Sequence, residues 1–161
     1  MAILERPMTT AALSMTAERP KLMLPILTGG AIAGTLDIVA AFITFGMNSP
    51  KFIAAGLIGR QAIRGGAAVW ILGLLLHFLI AFSAAAIYCL ASRRLGFLKE
   101  HFLVCGMFYG TAIYLVMNLV VLPLCALHAT GPYKLPALLQ GLIVHMFLIG
   151  LPISYSLRKL S

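Results

Sequence analysis

The sequence predicts an all-α integral membrane protein, a four-helix bundle. Three observations carry that expectation. Of 161 residues, 61% are hydrophobic and only 10% charged, where a water-soluble domain carries about a quarter charged residues. Four apolar stretches, at about 26–46, 67–90, 102–122 and 137–157, reach the ~20 residues a helix needs to cross a hydrocarbon core. The cations sit at the ends of those stretches rather than in one patch. The net charge of +8 therefore suits anionic lipid head groups and argues against nucleic acid as a partner.

Taken in order, residues 1–24 hold Glu5, Arg6, Glu18, Arg19 and Lys21 and no apolar core of a secretory signal. They read as a short cytoplasmic tail, with Met8 and Met15 as alternative starts. Pro25 lies in the first turn of span one, where proline is tolerated. The stretch "NSPKFIAAGLIGRQAIRGG" begins on a cap-and-proline signal at Ser49-Pro50. It reads as a short helix lying at the outer interface, or as a lid over a pocket. Gly65-Gly66 precede span two and Ser92-Arg93-Arg94 follow it. Trp70 reads as an interface anchor. Pro123 ends span three, and "CALHATGPYKLP", with an interfacial Tyr133, reads as a connector. Pro136 opens span four, Arg158-Lys159 close it, and Pro152 inside it predicts a kink. Cys89, Cys105 and Cys125 show no C-x-x-C spacing and read as small hydrophobes.

Orientation follows from counting cations. Arg6, Arg19, Lys21, Arg93, Arg94, Lys99, Arg158 and Lys159 fall on one side, against Lys51, Arg60, Arg64 and Lys134 on the other. This places both termini in the cytoplasm. The order G-x-x-x-G-T, then G-L-x-x-H, also occurs twice: "GAIAGT" and "GLLLH", then "GMFYGT" and "GLIVH". That order is the pattern of two parallel helical-hairpin repeats related by an axis along the membrane normal.

Within the spans Asp37 is the one acidic residue, and His77 and His145 are the only histidines. At ~1.5 Å rise per residue all three lie within a few Å of the midplane. Gly30, Gly34 and Asp37 share a helix face, as do Gly73 with His77, Gly141 with His145, and Gly106 with Gly110 and Tyr114, drifting toward Asn118. Small residues let helices approach closely in lipid, so polar groups on such faces point at neighbouring helices. An ionised carboxylate at the bilayer centre costs about 3 kcal/mol or more. The expectation is therefore an Asp37 partnered by His77 or His145, within an intramembrane polar cluster that takes in Tyr114 and Asn118.

Three functions fit these residues. The leading one is non-catalytic: a structural or accessory subunit that self-associates or joins a larger membrane complex. The second uses His77 and His145 as axial ligands of a b-type haem, in an electron-transfer subunit. The third is proton-coupled transport through Asp37 and the histidines. No zinc-site spacing and no nucleophile elbow occurs, so no catalytic residue and no metal ligand outside the haem reading is assigned.

The stretches "GGAIAGTLDIVAAF", "LLLHFLIAF", "YGTAIYLVMNLVVLPL" and "GLIVHMFLIGLPI" resemble small four-span bacterial inner-membrane proteins, and among them the YagU-like group. The resemblance covers about residues 28–157. It implies a multi-pass architecture in a bacterial inner membrane and brings no catalytic residues with it.

Overall fold

A computed structural model of the chain describes residues 21–130 and 134–161. Every regular element among them is helical: α1 (Met23–Phe45), α2 (Ser49–Ile58), α3 (Ala67–Ala91), the single turn α4 (Phe97–Glu100), α5 (Phe102–Leu124) and α6 (Leu135–Leu160). Of these, α1, α3, α5 and α6 are long and apolar enough to cross a membrane. Most of the tail expected at 1–24 lies outside the described residues, as does Tyr133. The end of that tail, Met23 and Leu24, already belongs to α1.

Packing runs α3 to α1 to α6 to α5, with α2 laid on α3. Glycines set the spacing. A Cβ on Gly30 would run into Phe82, and one on Gly34 into Phe78 and Ala81, so α1 and α3 touch through bare backbone. Between α5 and α6 the approach is closer still. A Cβ on Gly106 would meet Ser154 and the Gly150 carbonyl, and one on Gly110 would meet the backbone of His145 and Met146. A Cβ on Gly141 would enter the Tyr114 ring. Small residues at these crossings trade side-chain volume for backbone contact, which is how helices associate where no hydrophobic drive separates them from solvent.

The buried core fills the half of the molecule nearest the C-terminus. Ala33, Ala85, Tyr88, Ile153 and Leu157 are buried there, with Tyr109 and Ile113 packed against them. Tyr109 closes the ring of helices by donating its hydroxyl to the Ala84 carbonyl of α3 (2.7 Å), its ring 4.8 Å from that of Tyr88. Interhelical bonds of this type contribute ~0.6 kcal/mol on average and up to ~1.7. Tyr109→Phe should therefore cost about 1 kcal/mol in equilibrium unfolding in detergent, with no change in fold.

Two prolines follow widened turns. Pro123 lies in the last turn of α5, which ends one residue later at Leu124. Pro152 lies well inside α6. Each stands two residues beyond a π-helical segment, Met117–Val121 and His145–Gly150. In those segments the Leu122 and Leu151 amides reach back five residues, to the Met117 and Met146 carbonyls. Proline lacks the amide of the ordinary ladder, and its ring collides with the carbonyl four residues earlier. A widened turn just before it moves that carbonyl aside, so the helix passes through the proline rather than stopping.

The short helix expected after α1 forms, and one of its faces packs on the rest of the protein. In α2, Ser49, Pro50, Ala54 and Ala55 are buried. The Pro50 backbone sits where a Cβ of Gly73 would be, and the Ala126 amide donates to the Gly56 carbonyl (2.8 Å). Gly46 and Gly59, at φ 82° and 86°, make the turns at either end, a backbone region costly for any other residue. Trp70 ties this layer down: its indole N–H donates to the Met47 carbonyl (2.8 Å), and its ring stacks on Phe42. Gly73→Ala must lift α2 from α3. The expected outcome is about tenfold or greater reactivity of a cysteine placed at Ile53 toward a water-soluble maleimide, matching the ~1–3 kcal/mol cost of overpacking.

Candidate functional site

α1, α3 and α6 each carry one ionisable side chain into their interior. Asp37, His77 and His145 stand roughly 12–15 Å along their helices from the ends that face away from the C-terminus. All three line one cavity of about 180 Å³, whose other walls include Ala33, Ile80, Ile113 and Ile149. The α2 layer reaches this cavity through Ile53. A second cavity of about 400 Å³ adjoins it between α1, α5 and α6. Asp37, Met117 and His145 belong to the walls of both, so the two spaces meet at these residues.

The larger cavity rises to the side away from the C-terminus. Tyr114 and Asn118 lie along it, and the exposed residues Thr44, Phe45, Ala137 and Gln140 form its rim. Gln140 donates its amide to the Thr44 hydroxyl across that rim (3.1 Å). On the C-terminal side of the smaller cavity lies the packed core around Ala33, Ala85, Tyr88 and Ile153. The arrangement among the described residues is a funnel, with its rim on the side away from the C-terminus and a carboxylate and two imidazoles at its base.

The hydrogen bonds correct one expectation. Neither histidine is bonded to Asp37. The His77 Nε2 donates to the Gly34 carbonyl of α1 (2.8 Å). The His145 Nδ1 donates to the Gly141 carbonyl of its own helix (2.9 Å). The cause in both cases is a glycine, whose missing side chain leaves its carbonyl open to a ring N–H. A carbonyl acceptor requires the proton on the bonded nitrogen, so each neutral ring turns a lone pair outward, at His77 Nδ1 and His145 Nε2. The His145 ring lies edge-on to Tyr114 with centroids 5.1 Å apart. Asn118, also expected in the cluster, donates instead to the Tyr114 carbonyl one turn earlier (2.9 Å).

Among the described residues, the Asp37 carboxylate forms no hydrogen bond or ion pair. Asp37 is half-buried, yet no buried side-chain oxygen or nitrogen lacks a partner. Its oxygens therefore face the cavity space, where water or a solute can reach them. Among the described residues, no three of the His, Cys, Asp and Glu side chains converge as a metal site. The smaller cavity, at about 180 Å³, also falls below the ~300–1,000 Å³ of usual ligand pockets. A haem macrocycle between His77 and His145 would have to part the helices.

Reasoning from sequence singled out Asp37, His77, His145, Tyr114 and Asn118, all of which line one or both cavities. It missed Met117 at the junction, Ile53 from α2, and the Thr44–Gln140 bridge. Pro123 and Pro152 were the available signal for the widened turns that carry Met117, Asn118 and His145. No family model, known protein or solved structure matches the chain.

Proposed function

We infer that this chain is a multi-pass protein of a bacterial inner membrane, with both termini cytoplasmic, that takes part in proton-linked transport. The observation that carries this reading is Asp37: a carboxylate without a hydrogen-bond or ion-pair partner among the described residues, where two cavities meet. Support comes from four sources. The outward faces are apolar, Ile43 being 82% and Phe108 72% exposed, as lipid-facing helices require. The cation count favours cytoplasmic termini, which turns the mouth of the funnel outward. Intramembrane carboxylates and imidazoles are the usual proton-relay groups. A helix widened at mid-depth, here α6 by its π turn at His145–Gly150, is akin to the broken helices at which transporters bind their ions and substrates.

Chemically, a proton arriving down the funnel meets Asp37 first and can pass to the His145 Nε2 or His77 Nδ1 lone pair. Protonation removes the cost, about 3 kcal/mol or more, of holding a carboxylate at that depth. Loading and unloading a proton therefore changes how favourably α1 sits against α3 and α6. The two G-x-x-x-H stretches suit alternate movement of two hairpins, α1 with α3 and α5 with α6.

The test is reconstitution into liposomes carrying a pH-sensitive dye, with an imposed pH gradient. Proton uptake above that of protein-free liposomes is expected, and none would end the reading. The accessory-subunit reading retains one observation of its own. An apolar groove between α3 and α5, lined by Ile87, Leu95, Phe97 and Phe108, offers a seat for a helix of a second copy or a partner. Crosslinking in native membranes from a cysteine at Phe108 tests it. The haem reading is tested by the visible spectrum of the purified protein.

A further inference from the structure

We propose that the larger cavity binds a small, lipophilic protonated amine, with Asp37 as its counter-ion, and that this amine and the proton compete for the same carboxylate. The proposal rests on the proton-linked reading and names the substrate class of that site. Four features of the walls lead to it.

First, the cavity's polar groups include one acceptor far stronger than the rest, the Asp37 carboxylate. The Gln140 amide donates to Thr44, and the Asn118 amide to the Tyr114 carbonyl. The His145 N–H donates to Gly141. The Asp37 carboxylate, the His145 Nε2 lone pair and the side-chain carbonyls of Asn118 and Gln140 remain as acceptors, while the second N–H of each amide and the Thr44 and Tyr114 hydroxyls remain as donors. The carboxylate makes no hydrogen bond among the described residues, so a ligand seated against it must offer it a donor.

Second, it must bring positive charge. Among the described residues no Lys or Arg lines either cavity, so an anion would face the Asp37 carboxylate with no cation there to offset it. Third, a metal ion is the wrong cation. A divalent metal needs several ligands within ~2.0–2.6 Å of one point, and no such group forms among the described residues. Fourth, the rest of the wall is apolar or aromatic: Ala40, Ala41, Leu122, Val144 and Phe45, beside Tyr114. Aromatic walls attract organic ammonium groups. A space of about 400 Å³ lies within the range of small-molecule sites.

The titratable groups facing Asp37 are His77 from α3, Tyr114 from α5 and His145 from α6. α2 faces it with Ile53. Protonation of Asp37 removes the counter-ion, and protonation of either histidine adds a repelling charge. Both effects act in the same direction, so lowering the pH expels the amine. A proton bound on one side and released on the other would then drive amine movement the opposite way.

The experiment measures equilibrium binding of radiolabelled 2-phenylethylamine to the full-length chain in detergent. The amine stays protonated across the range used. Saturable binding near pH 8 is expected, weakening at least tenfold near pH 5.5, with 2-phenylethanol competing at least tenfold less well. Asp37→Asn should lose at least tenfold in affinity, and Tyr109→Phe, whose side chain lies outside both cavities, should bind as the parent does. Equal binding by Asp37→Asn, equal competition by the alcohol, or no pH dependence would each overturn the proposal. Should Asp37→Asn fail to fold, the alcohol competition and pH series on the unsubstituted protein decide alone. Proton uptake without amine binding would overturn this inference and leave the proton-linked reading standing. Amine binding that meets these criteria without proton uptake would support the site and remove the transport reading.

Discussion

Asp37→Asn should abolish gradient-driven proton uptake in liposomes while leaving the protein folded. The substitution is nearly isosteric and removes the one acidic side chain in the four long helices. No hydrogen bond is lost, because the carboxylate makes none among the described residues. Stability in a bilayer should hold or rise, since a neutral amide avoids the ~3 kcal/mol or more that an ionised carboxylate costs at that depth. A melting temperature equal to or above that of the parent, together with uptake at the protein-free level, is the expected pair of results. His77→Gln and His145→Gln should each reduce uptake only partly, because either imidazole can take the proton that Asp37 receives. Unchanged uptake in Asp37→Asn would mean that the funnel is a packing defect rather than a path.

Gly110→Val should remove folded protein altogether. At this position even a methyl group would overlap the His145 carbonyl, and on the other helix a Cβ at Gly150 would overlap the Gly106 carbonyl. These are backbone atoms, so no side chain can turn away to make room, and α5 must separate from α6. Overpacking usually costs about 1–3 kcal/mol and occasionally more. A clash against two rigid helices at once belongs to the upper end. The consequence also reaches the site, because the contact falls on the backbone of His145. Gly96→Val is the control: nothing lies within 4 Å of a Cβ there. Monodisperse yield and melting temperature in mild detergent should be near zero for the first variant and unchanged for the second.

Much of this architecture was legible along the chain, for one reason. A helix in hydrocarbon must satisfy its own backbone and be apolar over ~20 residues. That requirement writes itself into composition, so all four long helices lie within a few residues of the stretches expected from hydropathy. The glycines were legible too, since a face of small residues has little use except close approach. The contact α2 makes was not legible, because its sequence, apolar with scattered cations, satisfies an interface and a protein surface equally well. Its burial depends on Gly73 lying beneath Pro50, a contact between residues 23 apart in sequence.

The two G-x-x-x-H stretches separate the two levels most clearly. Local sequence determined that each histidine would sit one turn beyond a glycine and inside a helix. For His145 that was sufficient, because the Gly141 carbonyl of the same turn accepts its N–H. For His77 it was not. Gly73 instead makes room for α2, and the carbonyl that holds His77 comes from Gly34 on another helix. Equally, the sequence by itself determined that Asp37 would lie at depth. Only the tertiary structure decided that it would face open space rather than a partner. A residue's depth and face follow from helical periodicity, which is local, whereas its partner follows from which backbone a neighbouring helix leaves uncovered, and that is settled when the helices pack.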